Sequence, residues 1–158
     1  MTRLVPPYSR KTIAVSGGFD PIHVGHVRMI LAAAQHGDVV VILNSDEWLE
    51  NKKGYSFMSW EARAEILRAI KGVVNVVNTI DDEDGTVCNT LRNLRKDMKL
   101  DYFANGGDRT ATTTPEMKAC EEVGIGLLWN VGGGKVQSSS SLVTKAQYGK
   151  RKFNGYEF

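Results

Sequence analysis

The chain has 158 residues, a formal net charge of +2, 42% hydrophobic residues, three histidines and two cysteines. That composition is globular, and the length is enough for one domain that buries roughly two thirds of its unfolded surface. No apolar run reaches the roughly 20 residues of a membrane helix, and the opening MTRLVPPYSRK has no apolar stretch of the secretory kind.

Residues 12–18, TIAVSGG, read as a short buried strand that ends in a glycine loop. From His23 to His36, Val24, Val27, Ile30, Leu31 and Ala34 recur at helical spacing. DVVVILNSD, from Asp38, is a continuous β-branched run, as in a parallel strand covered on both faces. Ser59 stands at an N-cap position with Glu61 in the first turn, and Trp60, Arg63, Ile66, Leu67 and Ile70 follow as a helix. VVNVVNTI is a third strand. Thr86 to Met98 reads as a helix with Val87, Leu91 and Leu94 on one stripe. DYFAN is a fourth strand, cut off by Gly106 and Gly107. Thr114-Pro115 opens another helix, GLLWNV is a fifth strand, and SSSSLVTKAQYG is a last, serine-capped helix. The basic end, TKAQYGKRKF, reads as a solvated helix end and a frayed terminus.

This order predicts an α/β fold, with a five-stranded, mainly parallel sheet and helices on both faces. Residues 1–10 and 150–158 are expected to be peripheral. Ligands in such sheets sit beyond the carboxyl ends of the strands, where strand order reverses. No GxGxxG fingerprint is present. Cys88 and Cys120 have no metal spacing and are expected as reduced thiols in a cytoplasmic setting.

SGGFDPIHVGHVR, residues 16–28, carries two of the three histidines. Gly17 and Gly18 end the first strand and allow close approach of backbone to a ligand. His23 and His26 are three apart, hence neighbours on one helix face, and Gly25 leaves the surface between them bare. A helix N-terminus there offers N–H groups and partial positive charge to a phosphate. Two imidazoles over such a site suit displacement at phosphorus, which needs charge stabilisation and alignment more than a covalent nucleophile. A zinc site would require i,i+4 spacing and further ligands, and only Asp20 is near.

GGFDPIHVGH resembles the G-x-F-D-x-x-H-x-G-H signature of the nucleotidylyltransferase superfamily. That superfamily includes glycerol-3-phosphate cytidylyltransferase, heptose-phosphate adenylyltransferase and phosphopantetheine adenylyltransferase. Similarity of pattern runs from about Thr12 to about Gly149. The resemblance implies a Rossmann-like enzyme that joins a phosphorylated acceptor to the α-phosphate of an NTP and releases pyrophosphate. It implies catalytic roles for His23 and His26 and a nucleotide-binding loop of Gly17, Gly18, Phe19, Asp20 and Gly25. NSDEWLENKKG resembles the segment in which a lysine before glycine sits on a mobile loop and reaches the phosphates; Lys53 matches, with Lys52 one position off. WEARAEILRAI resembles the E-x-R-x-x-x-L helix, whose arginine, here Arg63, points toward the acceptor or the triphosphate. On the residues alone, Arg63 could equally pair with Glu50, Glu61 or Glu65.

YFANGGDR resembles the K-G-G-D-Y and G-D-D-W patterns of the superfamily. Asp108 then belongs with the nucleotide, and Arg109 with the acceptor phosphate. In SSSSLVTKAQYG, Ser138, Ser139 and Ser140 match serines that hold the β- and γ-phosphates. The arginine of the R-T-E-G-I-S pattern has no counterpart, so ATP is favoured over CTP. The acceptor implied is a sugar or polyol phosphate, with phosphopantetheine or nicotinamide mononucleotide as the alternative. Mg²⁺ is expected with the NTP, bridging phosphate oxygens with few protein ligands. The resemblance further implies a homo-oligomer, with no nucleic-acid or membrane partner. A nucleotide-binding regulatory module without turnover is the reading from another class.

Overall fold

The structure is a computed structural model. It describes residues 10–80, 84–106, 114–132, 138–148, 152–153 and 156–157. Five strands form one all-parallel sheet: β1 (Thr12–Gly17), β2 (Asp38–Leu43), β3 (Val73–Asn78), β4 (Tyr102–Gly106) and β5 (Gly126–Val131). Their order across the sheet is β3-β2-β1-β4-β5. Chain order therefore reverses between β1 and β4, and a crevice opens beyond their carboxyl ends. The helices are α1 (Val24–Ala34), α2 (Asp46–Lys53), α3 (Trp60–Arg68), α4 (Cys88–Asp97), α5 (Pro115–Val123) and α6 (Ser139–Tyr148).

Strand alternation assigns the two faces of the sheet. Ile13, Val15, Val39, Val41 and Leu43 point to one face and pack on Ile30 and Ala33 of α1 and Ala64 and Leu67 of α3. Ala14, Ile42 and Phe103 point to the other and meet Leu91 of α4 and Cys120 of α5. Both faces of β2 are covered, as its unbroken β-branched run requires: Val39 to Leu43 are wholly buried. Among the described residues no helix is long and apolar enough to cross a membrane. Neither cysteine is in a disulfide. Burial, helped by the nearby Cys88 and Glu116, pushes the Cys120 thiol up to about 12, so it stays protonated at neutral pH.

One element differs from the sequence expectation. Residues 46–53, expected as part of a loop, form α2. Ser45 caps it by accepting from the Trp48 amide, Asp46 and Glu47 occupy its first turn, Lys52 and Lys53 its last, and Gly54 closes it in the left-handed region. Beyond α6, β6 (Lys152–Phe153) and β7 (Tyr156–Glu157) pair as a short antiparallel ladder. Residues 1–9 of the N-terminal end lie outside the described residues.

The connection from α1 into β2 depends on Gly37. A Cβ there would stand 2.1 Å from the Lys11 carbonyl oxygen, which accepts from the Asp38 amide. Gly54 has a left-handed φ of +86° but open space around it. Gly37→Ala should therefore cost about 3 kcal/mol or more, because backbone must move, and Gly54→Ala about 1 kcal/mol from φ alone. Urea unfolding followed by circular dichroism measures both, and equal losses would contradict this account.

Candidate active site

The site is built on the loop between β1 and α1, at the reversal of strand order. His23 is the N-cap of α1, and its Nδ1 accepts from the Gly25 amide at 3.0 Å. His26, three positions into the helix, reciprocates: its Nδ1 accepts from the His23 amide at 3.2 Å. This is a capping box made of two imidazoles. The rings stack at 3.8 Å between centroids, and Phe19 meets His26 edge-on at 4.8 Å.

The cap decides the chemistry of the pair. Each Nδ1 is an acceptor and carries no proton, so a neutral ring carries its proton on Nε2. Each histidine thus presents an Nε2–H donor without a positive charge. Burial first, and then the electrostatic effect of the adjacent His23 ring, lower His26 from 6.5 to about 4, so its ring is neutral at physiological pH.

Asp20 lies in the same loop, yet its carboxylate turns inward and is fully used. Oδ2 accepts from the Phe57 amide at 2.7 Å and Oδ1 from the Met58 amide at 2.6 Å. Lys53 Nζ stands 3.0 Å from Oδ2, donates to the Asp20 carbonyl at 2.6 Å, and lies 4.9 Å from the centre of the Tyr55 ring. The loop position expected for Lys53 is corrected: it is the last residue of α2, and its ammonium is held against the His-bearing loop.

The expectation that Arg63 points toward a ligand is also corrected. Its side chain has no exposed surface. Nε donates to the Met58 carbonyl at 3.0 Å, and Nη1 donates to those of Gly18 and Asn44, both at 2.8 Å. Nη2 pairs with Asp46 Oδ1 at 2.6 Å, not with Glu50, Glu61 or Glu65. The reason is geometric: parallel strands end in outward carbonyls, and the planar guanidinium reaches two of them at once. The glycines beside it serve packing. A Cβ on Gly18 would lie 2.7 Å from Leu49, and one on Gly17 would lie 3.2 Å from the Phe19 ring, so the space they leave is filled by protein.

The serine run arrives from the far side of the crevice. Ser138 caps α6: its Oγ accepts from the Ser141 amide at 3.1 Å. Ser139 Oγ donates to the Pro21 carbonyl at 2.8 Å and ties the start of α6 to the loop carrying His23. Ser140 is exposed in the first turn. The N-termini of α1 and α6 thus both border residues 20–26. Asp108 and Arg109 lie outside the described residues. Three features escaped sequence reasoning. The Asp20 carboxylate clamps residues 57–58, Asp46 is the partner of Arg63, and Tyr55 and Phe57 stand at the edge of the site. None of these three left a signal in the sequence; the readable one was the Ser45-to-Gly54 bracket of α2, with acids first and lysines last.

The profile of the cytidylyltransferase-like family matches residues 14–126. The chain belongs to the cytidylyltransferase-like family. It is 37% identical to the bifunctional protein HldE of Gluconobacter oxydans over 68% of this chain and 22% of that protein. It is 37% identical to the FAD synthase of Pyrococcus abyssi over 63% of this chain and 65% of that one. The chain therefore spans about a fifth of the HldE relative's length and just under two thirds of the FAD synthase. In fold, this family member is similar to a lipopolysaccharide core biosynthesis protein from Thermoplasma volcanium. That match has a TM-score of 0.61 at 18% identity and covers 77% of this chain and 95% of that one.

Two predictions follow from the bonding. Arg63→Ala should cost about 3–5 kcal/mol of stability, because the Gly18, Asn44 and Met58 carbonyls and Asp46 all lose the guanidinium, and Arg63→Lys should recover less than half. Denaturant midpoints measure this; unchanged stability with a raised KM would instead return Arg63 to the acceptor. For His26, the unfolded ring titrates near 6.5 and the folded one near 4. Between these values the unfolded chain binds more protons, so stability is fully present above 6.5 and is lost as pH falls toward 4. His26 alone should remove about 2 kcal/mol between pH 7.5 and pH 5. His26→Asn, which keeps an acceptor at the Nδ1 position, should lack that loss; an unchanged acid limb would assign it to another group.

Proposed function

We propose that the protein is a nucleotidyltransferase. It would move the nucleotidyl group of an NTP, with ATP as the donor, to the phosphate of a small phosphorylated acceptor. The observation that carries this reading is the reciprocal cap of His23 and His26, which aims two uncharged Nε2–H donors from a helix N-terminus. Membership of the cytidylyltransferase-like family supports it, as do the FAD synthase and HldE relatives.

In this reaction an oxygen of the acceptor phosphate attacks the α-phosphorus, the bond from that phosphorus to the bridging oxygen breaks, and pyrophosphate leaves. His23 and His26 donate to oxygens of the phosphoryl group under attack. The bonds strengthen as charge moves onto those oxygens in the transition state. Lys53 is held against Asp20 in the structure, and a triphosphate competes with that carboxylate for its ammonium. Ser140, exposed in the first turn of α6, and the first amides of that helix take the terminal phosphates. Positioning and electrostatics do the rest, and no residue is covalently modified.

Mg²⁺ arriving with the triphosphate supplies neutralisation of phosphate charge. Among the described residues no group of three or more His, Cys, Asp or Glu is placed to hold a metal, and both Asp20 oxygens are engaged. With Asp20 so engaged, the ion would enter with the triphosphate and would serve to neutralise its charge.

Asparagine mimics Nδ1 and glutamine mimics Nε2 of a histidine. His26→Asn should keep the helix cap and the denaturation midpoint at neutral pH, while pyrophosphate release from ATP falls by about 10²–10⁴. Normal release by a folded His26→Asn protein would remove His26 from the mechanism.

A further inference from the structure

A cavity of about 360 Å³ opens beside the phosphate loop, a volume within the range of small-molecule sites. Pro21, Tyr55 and Phe57 form one side of it, and Leu142, Val143 and Ala146 of α6 form the other, with Gln147 at the edge. Ser139 belongs to the same face of α6, since positions 139, 142, 143 and 146 fall on one stripe. The hydrogen bond from Ser139 Oγ to the Pro21 carbonyl fixes that stripe against the loop of His23. The cavity therefore continues from the phosphate-handling end of the site along α6.

Its opposite wall is held with equal care. Phe57 is 61% exposed, which is unusual for a phenyl ring, yet its amide is bound to the buried Asp20 carboxylate, and so is the next amide. The chain thus holds an exposed aromatic side chain in a set place instead of burying it. Tyr55 carries the Lys53 ammonium against one ring and lines the cavity as well. Cation and aromatic wall sit together, so the surface is suited to a ligand with a phosphate at one end and an apolar plane at the other.

On the reading that this is a nucleotidyltransferase site, we propose that the cavity seats the body of the acceptor, and that this body is a flat heteroaromatic ring. The acceptor is then a phosphomonoester of a ring-bearing compound, not a bare sugar or polyol phosphate. A polyol placed here would turn its hydroxyls toward Pro21, Phe57, Leu142 and Val143, whose side chains offer no hydrogen bond. A planar ring stacks on Tyr55 and Phe57, and its heteroatoms meet the Tyr55 hydroxyl and the Gln147 amide at the rim.

The test is calorimetric binding to the full chain, with and without the non-hydrolysable analogue α,β-methylene-ATP and Mg²⁺. The probes are flavin mononucleotide, nicotinamide mononucleotide and glycerol 3-phosphate. At least one ring-bearing probe should bind tenfold or more tightly than glycerol 3-phosphate. Phe57→Ser, and separately Ala146→Glu in the α6 wall of the cavity, should each erase that advantage while the ATP analogue still binds. The proposal is overturned if neither ring-bearing probe exceeds glycerol 3-phosphate, or if the advantage survives both substitutions. Failure of the ATP analogue to bind, with a Phe57-dependent ring site intact, would sink the nucleotidyltransferase reading and leave the cavity assignment standing.

Discussion

A parallel sheet ends in a row of carbonyls with no strand beyond them, and the site depends on how those groups are met. Arg63 meets two of them, from Gly18 and Asn44, and adds the Met58 carbonyl and the Asp46 carboxylate. One buried cation thereby joins the exits of β1 and β2, the start of α2 and the segment leading into α3. Asp20 is the complementary anion. It binds two amides of residues 57–58 and the ammonium of Lys53. Two charged residues placed inside the protein would each be costly alone. Here nearly every polar atom they carry has a partner, and the loop of the histidines is held between them.

That rigidity lets the histidines act through geometry. Because each Nδ1 is occupied by a backbone amide, the rings cannot rotate away or exchange tautomers without losing the start of α1. The site avoids fixed positive charge on the pair and relies on directed N–H groups, two helix N-termini and one nearby lysine. Such donors need little reorganisation when charge develops on phosphate, which is where preorganised sites gain most over water. The same arrangement makes helix stability and the protonation state of His26 two expressions of one equilibrium.

The sheet was legible because its signals are local. The β-branched run of β2 and the helical periods of α1 and α3 can be read within a dozen residues, and their order implies a parallel sheet. α2 was not legible in that way. It buries only Leu49, so it has no apolar stripe, and only its capping residues mark it. Within the site, the positions of His23 and His26 were readable from spacing, and their shared helix end was found as expected. The work of Asp20 and Arg63 was not readable. Most of their partners are backbone groups 19 to 45 positions away in sequence, and no side-chain pattern encodes a carbonyl or an amide. Arg63 looked like a ligand-binding arginine because burial of a guanidinium on strand ends leaves the same trace in sequence.

The central claim is that the two-histidine cap presents uncharged Nε2–H donors to a phosphate. Nitrogen-15 spectra of histidine-labelled protein at neutral pH address it directly, before and after addition of ATP with Mg²⁺. The account predicts unprotonated Nδ1 and protonated Nε2 signals for both His23 and His26, with the Nε2 signals moving when the nucleotide is added. Protons found on Nδ1, or Nε2 signals indifferent to the triphosphate, would contradict it.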